Sequence, residues 1–358
     1  MELYSALPYT SAAQPVDSMH PHSGLETLLV SSPPSITRRI FDAMSKPELV
    51  SLTLTSSKLR TVVTGYERQA WDIDTFLGLW FRNVVTFKAA LAFAGAVVGG
   101  SQVVRFFERL PPNPRSDLDV ITRVGGVFAL SRLLESQGYS RIDRRPEQDE
   151  EYPLVTDILA LTSSKSFCRG GGRDGIIQIF DFVKDLDAPL DDDTNSLKVQ
   201  VIVVAQHPIH HIIHTFHSTL VMNFITHKEA VSLFPRSSFI DAVAYPNSKH
   251  RLGFGWNPHW KRKYEGRGYR VSIDDPQPKV SLGRRSAKDM HSWCIPFPAN
   301  TLLIREEERG YYMPLNVDEV CFEVSLLHEP GRSRRHVFRI GIFEPEVWDY
   351  LYPWHILS

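Results

Sequence analysis

Two aspartates separated by one leucine, Asp117 and Asp119, are the residues best suited by type and spacing to do chemistry. In an extended strand, residues two apart point to one face, so these carboxylates stand side by side with Leu118 turned behind them. Such a pair can hold Mg2+, a hard cation that binds few carboxylates when its other positions go to phosphate oxygens and water. Upstream, Gly99-Gly100-Ser101 follows an apolar run and opens a short helical stretch. Free backbone N–H groups at a helix start, beside a hydroxyl, suit a phosphate. The chemistry that joins both halves is metal-assisted phosphoryl transfer; a strand, a turn and a second strand without a ligand is the alternative the same residues allow.

Positioning these groups is the task of the surrounding elements. Residues 96–98 and 118–121 read as short buried strands, and 127–137, ended by Gly138, as a helix with a glycine C-cap. The β-rich runs 176–183 and 198–204, separated by an acidic turn with Asp191, Asp192 and Asp193, are expected to be antiparallel neighbours. On the second run the inward polar residue is Gln200; Asp181 on the first joins the site only if it faces the same way. Residues 208–223 read as a helix, and 302–304, 319–326 and 336–342 as strands.

The order of apolar strand, Gly-Ser turn, short helix and Ser-Asp-x-Asp strand resembles the nucleotidyltransferase fold superfamily, over roughly residues 87–225, and in particular the nucleotidyltransferase-like proteins of fungi. The matching residues are Val98-Gly99-Gly100-Ser101 and Ser116-Asp117-Leu118-Asp119. The resemblance implies an α+β fold: a short N-terminal helical module, a mixed sheet flanked by helices, and a strand-rich C-terminal extension. It implies Asp117 and Asp119 as catalytic residues and Mg2+ ligands, Gly99, Gly100, Ser101 and Gln200 on the nucleotide side, and a nucleoside triphosphate as partner. Active members carry a third carboxylate on the adjacent strand. Here Gln200 takes that place, and an amide brings no charge for a second Mg2+ and cannot serve as a base.

A second resemblance lies upstream. Residues 33–41 and 47–60 are similar to an F-box, which implies that Pro33, Ile36, Ile40 and Leu49 meet the adaptor subunit of a ubiquitin ligase through residues 33–60. Ser32 and Ser35 depart from the leucine and glutamate that the family prefers, and a leucine-rich helical pair also serves as plain core. Ser45 is the expected N-cap of the second helix, with Pro47 in its first turn.

Three further features carry alternatives. His210, His214 and His217 share one face of the expected 208–223 helix and could gather a metal, whereas Ile209, Ile212, Ile213 and Phe216 opposite them read as an ordinary amphipathic face. Gly170-Gly171-Gly172-Arg173 lacks the lysine and hydroxyl of a phosphate-binding loop. Between residues 249 and 288 eleven Lys and Arg face three acids, and in 256–264 they interleave with aromatics, as suits a nucleotide or a solvated surface.

The 358 residues are 42% apolar and 23% charged, with a net charge of −1, so no global field draws the chain to nucleic acid or an anionic membrane. Cys168, Cys294 and Cys321 form neither a disulfide framework nor a zinc motif, and no apolar run is long enough to span a bilayer, which points to an intracellular protein, cytoplasmic or nuclear. The expected divisions are an arm at 1–30, the helical module at 31–82, the nucleotidyltransferase-like domain at 83–245 and the basic extension at 246–358.

Overall fold

The computed structural model describes residues 24–142, 156, 158, 175–190, 194–247, 258–272, 275, 278–298, 315–328 and 336–342. The fold is α+β, with N-terminal helices followed by a mixed sheet flanked by helices and a strand-rich C-terminal region. The chain divides into two compact units, Met1–Arg68 and Gln69–Ser358.

The first unit is built from α1 (Gly24–Ser31), α2 (Pro34–Asp42), α3 (Lys46–Thr55) and α4 (Ser57–Ala70). Ser45 caps α3 in a reciprocal capping box, its backbone N–H donating to Glu48 Oε2 at 2.6 Å, as the sequence leads one to expect. Phe41, Leu49, Leu52, Leu59, Val63 and Tyr66 are buried, and Phe41 meets Tyr66 edge-on at 5.2 Å. Leu49 is fully buried, so it belongs to this core and not to an outward contact surface; Ile36 stays 48% exposed. The expected arm at 1–30 is overtaken by α1 from Gly24 onward.

In the second unit α5 (Ile73–Leu77) and α6 (Val84–Ala94) lead to β1 (Val97–Gly99), then α7 (Gly100–Phe107), β2 (Leu118–Thr122), α8 (Val127–Ser136), β3 (Ser140–Ile142), β4 (Ile176–Asp185) and β5 (Ser196–Val204). Asn83 caps α6, its side chain accepting from Thr86 N–H, and Gly95 ends it in the left-handed region. There follow α9 (Pro208–Thr215), β6 (Asn223–Ile225), β7 (Glu229–Ser232), β8 (Val243–Ala244), α10 (Pro258–Glu265), β9 (Arg270–Val271), β10 (Gly283–Ser286), β11 (Trp293–Pro296), β12 (Cys321–His328) and β13 (His336–Ile342).

Eight strands form the main sheet in the order β11-β7-β6-β1-β2-β5-β4-β3; only the β2–β5 pair is parallel. β1 sits centrally because Val97 and Val98 are apolar on both faces and fully buried. β5 alternates: Leu197, Val199, Val201 and Val203 are buried on one face, so Lys198 and Gln200 share the other. β4 and β5 are antiparallel neighbours, as expected.

One expectation is corrected. The helix expected at 208–223 stops at Thr215, where Asn247 Nδ2 donates to the His214 carbonyl at 3.1 Å, and Asn223 onward is strand. The strand-rich region after residue 245 packs with what precedes it: β11 completes the main sheet, and Val317, Val320, Phe322 and Val324 share one apolar cluster with Val97, Ile121 and α9. The run 302–304 lies outside the described residues. No helix among the described residues is long and apolar enough to cross a membrane.

The seam between α6, β2 and the start of α8 has no spare volume. A Cβ on Gly126 would lie 2.2 Å from Thr122 Oγ1 and 2.6 Å from the Ala94 carbonyl. Gly126→Ala is therefore expected to destabilise the protein by about 1–3 kcal/mol in urea denaturation, the usual cost of overpacking.

Candidate functional site

Register brings the site together. Gly99 pairs with Asp119 across β1–β2, Asp119 with Gln200 across β2–β5, and Gln200 with Asp181 across β5–β4. Directly opposed residues share a face, so Asp119, Gln200 and Asp181 form one polar row across three strands. The condition on Asp181 is met: Gln200 Nε2 donates to its Oδ1 at 2.8 Å. It nevertheless stands one strand beyond Gln200, roughly 10 Å from the β2 backbone by ordinary strand spacing.

Gly99 is the last residue of β1 and the N-cap of α7, Gly100 its first helical residue at φ +74°, and Ser101 follows, half-buried. The Asp119 carboxylate lies against this turn: a Cβ on Gly100 would fall 2.0 Å from Asp119 Oδ2. Glycine is required here twice over, for its dihedral and for the missing Cβ.

Asp117 enters the site just ahead of β2, held by a clamp that sequence reading did not find. Gln102, fully buried on α7, donates to the carbonyls of Asn113 at 2.7 Å and Ser116 at 2.9 Å, and accepts from Asn113 N–H at 3.1 Å. One side chain thus fixes both ends of the loop that delivers Asp117.

The electrostatics follow from this crowding. Burial raises the Asp119 carboxyl to about 7, the Asp117 charge adds to the rise, and Lys263 and Lys198 oppose it. Two carboxylates that disfavour each other's charge are an arrangement a divalent cation relieves, so the pair fits a Mg2+ ion. Among the described residues no group of three or more His, Cys, Asp or Glu side chains is assembled for a metal. Gln200 is the residue paired with Asp119 on the adjacent strand.

Lys198 is the residue the sequence reading passed over. Its Nζ lies 3.5 Å from Asp117 Oδ2 and 3.5 Å from Asp181 Oδ1. Its period-two spacing from Gln200 was the available signal.

The basic segment contributes selectively. Tyr264 and Tyr269 are buried in a cluster with Val104 of α7, and Trp260 stacks on His217 at 4.2 Å, so its rings serve packing and are not an open stacking platform. Lys261 pairs with Glu265 on its own helix at 3.6 Å. Lys263 lies within electrostatic reach of Asp117 and Asp119, and it is held below the usual lysine range by burial and by neighbouring Arg267.

The histidine cluster is different from its expected form. His217 lies beyond α9, while His210 and His211 are buried with Ile209, Ile212 and Ile213. The glycines at 170–172 lie outside the described residues. Burial holds His207 and His210 neutral, pushing them down to about 3 and about 4. The unfolded chain protonates histidine near pH 6.5, at about its free value. This contribution to stability is therefore full above about pH 6.5 and is lost as pH falls toward about 4, because only the unfolded state takes up those protons. Asp119 acts with the opposite sign, favouring the fold at low pH and losing that contribution as pH rises toward 7. The His207→Asn/His210→Asn double variant keeps Asp119. Its urea midpoint is thus expected to fall less between about pH 7 and about pH 5 than that of the parent, and equal falls would count against the assignment.

No protein-family model, curated protein sequence or solved structure matches this chain.

Proposed function

We propose that the second unit is a nucleotidyltransferase-like domain that binds a nucleoside triphosphate with Mg2+, its transfer chemistry limited by the amide at position 200. The observation that carries the reading is the Asp119 carboxylate packed beside the glycine turn that starts α7, within electrostatic reach of Asp117. Asp117 and Asp119 would hold the ion, which when bound supplies charge neutralisation and polarisation of phosphate oxygens. Gly100 and Ser101 offer the backbone N–H groups of a helix start to the triphosphate, and Lys263 adds a cation within electrostatic reach of Asp119. Positioning and electrostatics are what such a site contributes to phosphoryl transfer. Gln200 provides neither a second anionic ligand nor a base, which favours nucleotide binding with slow transfer.

Calorimetric titration with the four ribonucleoside triphosphates tests this. Binding is expected with Mg2+ and not without it, and Asp117→Asn is expected to weaken it at least about tenfold. Gly100→Ala is expected to do the same, since its Cβ displaces the Asp119 carboxylate. No binding in the presence of Mg2+, or binding indifferent to Asp117, would reject the proposal.

A second reading concerns the helical unit alone. Ile36, Val50 and Leu54 are exposed, Leu54 at 75%, which supports docking of a ubiquitin-ligase adaptor on residues 33–60. Capture of the purified adaptor is expected to be lost with Ile36→Asp, which leaves the buried core untouched; no capture by the parent chain would sink this reading.

A further inference from the structure

We propose that Lys198 is a built-in cation of the site: its ammonium takes the place that a second divalent ion would need, so the domain holds one metal per chain with its nucleotide instead of two. The inference rests on the reading of Asp117 and Asp119 as ligands of the first ion.

The geometry that carries it is set by the strands. Leu118 pairs with Val199, and Asp119 with Gln200, so Lys198 and Gln200 flank the aspartates from the adjacent parallel strand on one face. Lys198 Nζ reaches Asp117 and Asp181 at 3.5 Å each. Its side chain keeps 34% of its exposure and that of Asp181 only 6%, so the ammonium spans from the mouth of the site to a buried carboxylate. Gln200 donates to the same Asp181 oxygen, Oδ1, at 2.8 Å. Asp181 is therefore satisfied by an amide and an ammonium from the neighbouring strand.

Two-metal sites hold their ions about 3.5–4 Å apart, bridged by a shared carboxylate. Here the ammonium of Lys198 already lies 3.5 Å from Asp117 Oδ2 and acts on Asp119 as well. A second ion would have to displace Lys198 from both Asp117 and Asp181, and the residue paired with Asp119 on β5 offers it only the neutral amide of Gln200. An ammonium balances charge as an ion does, but it polarises no bound water and creates no hydroxide. The arrangement therefore retains the half of the machinery that binds a nucleotide and forgoes the half that activates an acceptor.

Metal stoichiometry decides the matter without an activity assay. The full chain, saturated with a non-hydrolysable nucleoside triphosphate analogue, is titrated with Mn2+ while the free ion is followed by electron paramagnetic resonance. The parent is expected to bind one Mn2+ and the Lys198→Gln/Gln200→Asp double variant two. Two ions on the parent, or one on a folded double variant that still binds nucleotide, would overturn the inference while leaving the nucleotide site standing. Neither Mn2+ nor nucleotide on the parent would instead reject the aspartate site itself, and this inference with it. Should the double variant fail to fold, Lys198→Gln alone decides: with the competing charge gone it is expected to bind its single Mn2+ several-fold more tightly, and unchanged or weaker affinity would overturn the inference.

Discussion

The contact between the Asp119 carboxylate and the Gly100 backbone is the constraint on which the site depends. The carboxylate fills the space of an absent Cβ, 2.0 Å from where that atom would be. This requires β1 and β2 to pair with Gly99 opposite Asp119, and it requires the chain to turn at once into α7 with a positive φ. The turn, the strand register and the helix start are thus one geometric solution, and the raised affinity of Asp119 for its proton is the electrostatic cost of packing an anion so closely.

Charge balance extends that solution outward. Asp117, Asp119 and Asp181 are supplied by a loop and two strands, Lys198 of β5 pairs with Asp117 and Asp181, and Lys263 of α10 lies within electrostatic reach of Asp119. Gln102 keeps the arrangement rigid by holding backbone groups of the 113–116 loop in place of solvent.

Much of the fold was legible because it is written in local periodicity. The alternation of Leu197, Val199, Val201 and Val203 marks β5 and turns Gln200 inward, and the strand at His336–Ile342 falls on its expected bounds. The pair Asp117 and Asp119 and the turn at Gly99–Ser101 were readable for the same reason. What escaped was non-local. The helix expected through residue 223 is cut short by Asn247, whose partner carbonyls lie far back in the chain. Leu49 counts as surface or core only once Phe41 and Val63 are known to be buried in the same unit. Strand β11 joins the main sheet although about sixty residues separate it from β7, and no pattern within four residues could announce that. Lys198 lay in plain view, but its role depends on which strands flank β5.

Helix α7 is gripped at both ends. Its first residue cradles Asp119, and Glu108, the residue that caps its far end, accepts a hydrogen bond from Tyr269, which precedes β9 and packs beside Tyr264 of the basic helix. Eight residues of helix span about 12 Å. The helix is thereby a stiff strut with the glycine turn at one tip and the lysine-bearing segment moored to the other. Any ligand that shifts one tip must work against the anchorage of the other, so the two halves of the site move as a linkage and not as independent loops.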